Sequence, residues 1–116
     1  MTMKTQYLEI VTSEVEAVCA TYATTFGIKF GASVPALGGA RTAPMGDGSL
    51  IGVRAPLRTS EAPVVRPYWL VQDIVSAVSA AQSAGALLAL PPMPIEGYGT
   101  CAILQQGGND HGLWQL

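Results

Sequence analysis

The chain repeats itself, and the repeat limits what it can become. Glu14 and Asp73 each stand just before an apolar helical run, at Val15 and Ile74, and lie 59 positions apart. Tyr7 and Arg66 come seven residues before those two acids. Gly52 and Gly112, each in the last strand-like run of its half, lie 60 apart. With 116 residues there is room for two copies of one supersecondary unit and a short connection.

Each copy reads as strand, helix and three strands. Tyr7–Thr12 is a short β-branched run. Ser13 with Glu16 three residues on has capping-box spacing, so a helix is expected from there. Val15, Val18, Cys19, Tyr22 and Phe26 form one apolar stripe, and Gly27 ends it. Three turn-punctuated pieces follow, Lys29–Val34, Ala40–Met45 and Ser49–Ala55, separated by Gly38-Gly39 and Gly46-Asp47-Gly48. Residues 58–64 are polar and proline-bearing and read as a linker. The second copy has a strand at Arg66–Val71 and an N-cap at Asp73. Its helical stripe is Ile74, Ala77, Val78 and Ala81, closed near Gly85. Strands are expected at Leu87–Leu90, Gly99–Gln105 and His111–Leu116, with loops at Pro91-Pro92, Gly97-Tyr98-Gly99 and Gly107-Gly108. The pattern predicts an α+β fold of two tandem βαβββ half-repeats, about 4–57 and 65–116, with helices near 13–26 and 73–84. One helix covers one face of each half-sheet, so the uncovered faces are expected to meet or to form a concavity.

Composition narrows the function classes. Hydrophobic residues make up 49% of the chain, enough for one core. Charged residues make up only 12%, about half the usual share, which points to a homodimer with an apolar interface. Six Lys and Arg, scattered under a net charge of −2, cannot track phosphates, so no nucleic-acid partner is expected. The start MTMKTQYLEI lacks the apolar core of a signal peptide. The longest apolar run, Ala84–Met93, is broken by Pro91 and Pro92 and falls short of the ~20 residues a membrane helix needs. A cytoplasmic protein is the default expectation, with no membrane partner and with Cys19 and Cys101 reduced. Two cysteines and one histidine exclude a zinc-finger-type site.

Glu14-Val15 … Tyr22 … Phe26-Gly27 resembles the acidic-Leu … aromatic-Tyr … Leu-Gly helix of the vicinal-oxygen-chelate superfamily, which includes glyoxalase I, ring-cleaving dioxygenases and bleomycin-resistance proteins. In the second half Tyr68–Ile74, Pro91–Gly99 and Gly112–Gln115 resemble, in that order, a glyoxalase-like branch of the same superfamily. The resemblance covers nearly the whole chain and implies one domain with a central cup. In the superfamily's enzymes the cup holds a divalent metal, with His, Gln or Glu ligands from the first and last strands of each half. This chain has Tyr7, Gly52, Arg66 and Gly112 there. Glycine has no ligating side chain and arginine is always cationic. A site without metal and without cofactor is therefore the expectation.

Strand alternation places Tyr7, Glu9 and Val11 on one face, and Arg66, Tyr68 and Leu70 on another. Arg54 shares a face with Gly52, and Asp110 and Trp114 share one with Gly112. A cup walled by Tyr7, Tyr68 and Trp114, with Glu9, Arg54 and Arg66 among them, suits a small, partly apolar or aromatic organic molecule. The two glycines are expected to leave room for it. The function so implied is metal-independent sequestration or resistance. Two alternatives stand beside it: a glyoxalase-like lyase or isomerase with Glu9 as general base, and a dimerising domain without ligand. The aromatic residues also read as ordinary core, and Glu9 with Arg66 as a structural pair. His111 falls on the opposite strand face and reads as structural. Cys19 reads as inert core, and Cys101 has no visible base beside it. The Met93–Tyr98 segment reads as a flap over the cup or as a plain hairpin connection. Gly97-Tyr98-Gly99 lacks the glycine number and the following helix of a phosphate loop.

Overall fold

The computed structural model describes residues 2–116. They form eight strands and two α-helices, and they group into two compact units. One unit is Tyr7–Val65; the other is Arg66–Leu116 together with the chain before Tyr7.

In the first half the elements are β1 (Thr5–Val11), α1 (Val15–Phe26), β2 (Ser33–Val34), a short 3-10 turn (Pro35–Leu37), β3 (Ala40–Pro44) and β4 (Leu50–Arg54). The strand order is β2-β3-β4-β1, with β4 parallel to β1 and the other pairs antiparallel. The second half has β5 (Val64–Leu70), α2 (Ile74–Ser83), β6 (Leu87–Ile95), β7 (Gly99–Gln106) and β8 (Asn109–Gln115). Its order is β5-β8-β7-β6, again with one parallel pair, β5 with β8. The expected βαβββ repeat is thus the observed one, and it extends to single hydrogen bonds. Thr12 N–H donates to Arg54 O at 2.9 Å, and Val71 N–H donates to Trp114 O at 2.8 Å, at equivalent places in the two halves. Tyr7 and Arg66 each lie two residues before the residue opposite a glycine, since Glu9 faces Gly52 and Tyr68 faces Gly112.

Each helix buries one face of its own half-sheet. Ile10, Cys19, Phe30, Ala43, Ile51 and Val53 are the core of the first half, joined by Leu8, Val15, Val18, Tyr22 and Ile28. Ile74, Val78 and Ala102 are the core under α2, with Val71, Leu88 and Leu113 packed on them. These are the alternate residues to those expected at a site, so a period of two divides each strand between core and open face.

Local expectations needed correcting in five places. The helix α1 starts without a capping box: its N-cap is Glu14, with no side-chain cap bond, and Glu16 pairs instead with Arg41 at 2.8 Å. Phe26, expected on the buried stripe, is the last residue of α1 and is 66% exposed, its ring lying beside Tyr22. Lys29–Val34 is a strand only at Ser33–Val34. There the Phe30 and Gly31 carbonyls are taken by the Arg41 guanidinium, at 3.4 and 2.9 Å, where a ladder would have bonded them. Residue 64 belongs to β5 rather than to a linker. Pro91 and Pro92 do not break the strand: β6 carries them through at register shifts between Leu88 and Met93. A strand at the end of the order, bonded on one side only, tolerates residues without an N–H. The second helix forms as expected, with Asp73 accepting from Ser76 N–H at 3.0 Å. Among the described residues, no helix is long and apolar enough to cross a membrane.

Candidate functional site

In the first half, β1 and β4 put Tyr7, Glu9, Gly52 and Arg54 on the face away from α1. Glu9 and Arg54 are both buried, and Arg54 Nε donates to Glu9 Oε2 at 2.8 Å. Glu61 completes the group. Its two carboxylate oxygens accept from Arg54 Nη1 and Nη2 at 2.9 and 2.7 Å, and its Oε1 also accepts from Leu57 N–H at 2.7 Å. The hydrogen bonds to Glu61, opposed by burial and helped by Glu9, hold the guanidinium further into its charged range than usual. Glu61 was hidden in the sequence, inside a polar segment that reads as a linker. The only hint was an acid a few residues downstream of a strand arginine.

In the second half, β5, β8 and β7 bring together Arg66, Tyr68, Asp110, Gly112, Trp114 and Cys101. Arg66 donates through Nε and Nη2 to Asp110 Oδ2, at 3.0 and 2.8 Å, and Gln105 donates to Asp110 Oδ1 at 3.1 Å. Burial pushes the Asp110 carboxyl up, but the bonds from Arg66 and Gln105 and the arginine's charge outweigh it. The carboxyl stays below its usual value. Tyr68 and Trp114 meet edge to face, with ring centroids 5.6 Å apart. Trp114 Nε1 donates to Tyr98 O at 3.1 Å, and Tyr98 N–H donates to Ile95 O at 2.9 Å. The turn before β7 is therefore tied down as an ordinary hairpin connection rather than a flap.

The glycines behave differently from expectation. They leave no hole, because tyrosine rings lie on them. A Cβ on residue 52 would run into Tyr7 Oη, Cζ and Cε1; one on residue 112 would run into Tyr68 Cδ2 and Cγ and the Pro67 carbonyl oxygen. Tyr7 and Tyr68 are 3% and 5% exposed. The missing volume was read correctly, but the large side chain that fills it comes from a neighbouring strand, which alternation alone does not reveal.

Of the remaining candidates, His111 and Cys19 lie elsewhere. His111 Nε2 is 3.0 Å from Gln106 O, at the hairpin end of β8. Cys19 sits in the core under α1, and burial raises its thiol above the ordinary value. Cys101 pairs with Trp114 across β7 and β8 and is buried. A groove of about 340 Å³ runs along α1, bordered by Glu16, Ala23, Lys29 and Arg41, and none of the expected site residues lines it. Among the described residues, no group of three or more His, Cys, Asp or Glu is placed to hold a metal.

No family model matches the chain, and no curated protein sequence is similar to it. Solved structures are similar. A hypothetical protein from Bacillus halodurans C-125 superposes with a TM-score of 0.79 at 15% identity, over 100% of this chain and 96% of the other. Methylmalonyl-CoA epimerase from Mycobacterium tuberculosis gives 0.72 at 16%, over 96% and 86%. The Streptomyces coelicolor methylmalonyl-CoA epimerase in complex with 2-nitronate-propionyl-CoA gives 0.70 at 16%, over 97% and 96%. The chain has the vicinal-oxygen-chelate fold. At such identities the likeness speaks for the fold alone, and the residues that the resemblance sets at the metal-ligand places are poor donors for a metal. Gly52 and Gly112 offer no donor and are covered by tyrosine, and Arg66 brings a cation.

Proposed function

We propose that the protein binds a small, partly apolar or aromatic organic molecule without a metal, with Tyr7, Glu9 and Arg54 as the contact residues on the open face of the first half and, taken separately, Arg66, Tyr68 and Trp114 as those on the open face of the second. The observation that carries this reading is the tyrosine ring over each glycine. It puts a buried aromatic ring beside each glycine, in both halves. Aromatic walls supply contact area, and oriented charged groups set the pose of a polar end. Arg54 and Arg66 are oriented in this way by carboxylates. The test is a thermal-shift screen of small aromatic and acyl compounds on the wild type and on Trp114→Ala, Glu9→Ala and Arg66→Ala, with elemental analysis of the purified protein. The reading expects a compound class that raises the melting temperature of the wild type and not of the variants, and no stoichiometric metal. A screen without any stabilising class would overturn it.

A second reading, isomerisation by proton abstraction, is favoured by the epimerases among the fold neighbours. Glu9 would be its base, but Glu9 Oε2 already accepts from Arg54, so the reaction would have to loosen that bond. Methylmalonyl-CoA in deuterated buffer tests it. Deuterium entering at the α-carbon, and stopping in Glu9→Gln, would favour catalysis over binding. The low charge fraction supports a homodimer in either case, and light scattering at micromolar concentration would decide it.

A further inference from the structure

The arginines of the two open faces are held in different ways. Arg66 gives Nε and Nη2 to one oxygen, Asp110 Oδ2, and Asp110 is a residue of β8, so the sheet itself keeps that acid beside its arginine. Arg54 divides its nitrogens. Nε is committed to Glu9, a residue of β1 and likewise part of the sheet. Nη1 and Nη2 go to Glu61, which stands on the largely exposed segment between β4 and β5. The Leu57 N–H, on the same segment, adds a third donor to Glu61 Oε1 at 2.7 Å. A guanidinium fork and a backbone amide converging on one carboxylate are the donors that recognition of a planar acid uses. Nη1 also donates to Ala55 O at 3.2 Å, which helps to fix the plane of the fork. The arginine stem rests on the turn at Gly38, where a Cβ would stand 3.1 Å from Arg54 Cδ and 3.6 Å from Leu57 Cδ1. Leu57 is 65% exposed, so an apolar side chain borders this carboxylate at the surface.

We infer that Arg54 Nη1, Arg54 Nη2 and the Leu57 N–H form a carboxylate site, that Glu61 is its internal occupant, and that the carboxylate of a ligand with an apolar body displaces it. This rests on the binding reading proposed above and names the chemical class of the ligand's polar end. The exchange leaves the local charge as it is: one carboxylate departs, another arrives, and Glu9 stays on Nε. No buried charge is stranded, so the step avoids the penalty of breaking a buried ion pair outright. What opposes it is the tether. A short flexible segment holds Glu61 beside Arg54 at an effective concentration on the order of millimolar. A simple carboxylate must exceed that concentration or gain apolar contact, some of which the exposed Leu57 side chain offers. Asp110 is no such occupant, because it belongs to a strand and not to a loop.

The test follows the Leu57 amide resonance of isotope-labelled protein as sodium benzoate is added at constant ionic strength, with benzamide as the uncharged control. The wild type should respond only above the millimolar range, which the tether sets. Glu61→Ala should bind benzoate at least about tenfold more tightly, because the competing carboxylate is gone. Glu61→Gln should also bind it more tightly than the wild type, since its amide brings no charge to the fork, and it carries the test if Glu61→Ala does not fold. Adding Arg54→Lys to either variant should abolish the gain, because lysine has no fork. Benzamide should leave the Leu57 resonance in place throughout. Equal affinity for benzoate in the wild type and the Glu61 variants would overturn the inference. So would a gain that survives Arg54→Lys, or benzamide acting as well as benzoate. Neutral aromatic compounds that stabilise the wild type, with no benzoate response in any variant, would overturn the carboxylate site and leave the binding reading standing. Benzoate seated in Glu61→Ala, with no compound stabilising the wild type, would overturn the binding reading and leave the carboxylate site standing.

Discussion

Arg54 grips Glu61 with both terminal nitrogens, 2.9 and 2.7 Å from its two carboxylate oxygens, while its Nε stays on Glu9 at 2.8 Å. One cation thus serves two buried or nearly buried acids. Removing it should hurt more than removing either acid. Arg54→Leu is expected to cost about 3–5 kcal/mol, because it strands two carboxylates away from water. Glu61→Ala should cost about 1.5–3 kcal/mol, the range for a hydrogen bond to a charged group, and leave the Arg54–Glu9 contact in place. Urea unfolding of the two variants checks the order, and Glu61→Ala proving the worse of the two would refute it.

Acid should reach Asp110 late. Its folded-state value lies below the ordinary carboxylate value of about 3.9. Its contribution is therefore complete above that ordinary value and disappears as pH falls through the folded one. The stability gap between the wild type and Asp110→Asn should be constant from pH 7 down to about pH 5 and close below about pH 4. A gap that widens in acid would contradict the assignment of Arg66 and Gln105 as partners of the charged form.

Trp114 anchors the turn before β7 through its indole N–H. Trp114→Phe keeps an aromatic ring on Tyr68 but loses that donor and some volume, and should cost about 1–3 kcal/mol. Tyr98→Ala keeps the accepting backbone carbonyl and should cost clearly less. Guanidinium unfolding of both would show it; equal losses would mean that the Tyr98 ring, rather than the bond, holds the turn.

The thiols should be silent until the chain opens. Cys19 and Cys101 are 4% and 3% exposed, and burial keeps the Cys19 thiol protonated beyond its ordinary range. A thiol-reactive disulfide reagent at pH 8 should label native protein slowly and denatured protein at both positions at once. Fast labelling of Cys101 in the native state would place it at an accessible surface.

The repeat was legible because helix starts and glycines recur at a fixed offset, and the fold follows from it. Face membership was legible too: period two put Tyr7, Glu9 and Arg54 together, and the apolar helical stripe set Cys19 with the core. What stayed illegible depends on side-chain reach. A tyrosine leaning two residues along a sheet, a glutamate folding back from a polar loop onto Arg54, and an arginine at position 41 replacing a strand ladder with its own guanidinium are all choices of rotamer and loop path. Sequence spacing does not encode them. The prolines misled for the opposite reason, since a rule about strand interiors was applied to a strand bonded on one side only.

That strand has a further consequence. β6 ends the strand order of its half, and Pro91, Pro92 and Pro94 leave three of its nine residues with no N–H to offer. In a chain with 49% hydrophobic residues and few charges to repel a neighbour, an open edge is where fibrillar growth would begin. The prolines deny an incoming strand its hydrogen bonds and guard against self-templating, a task that charged gatekeeper residues perform in other proteins.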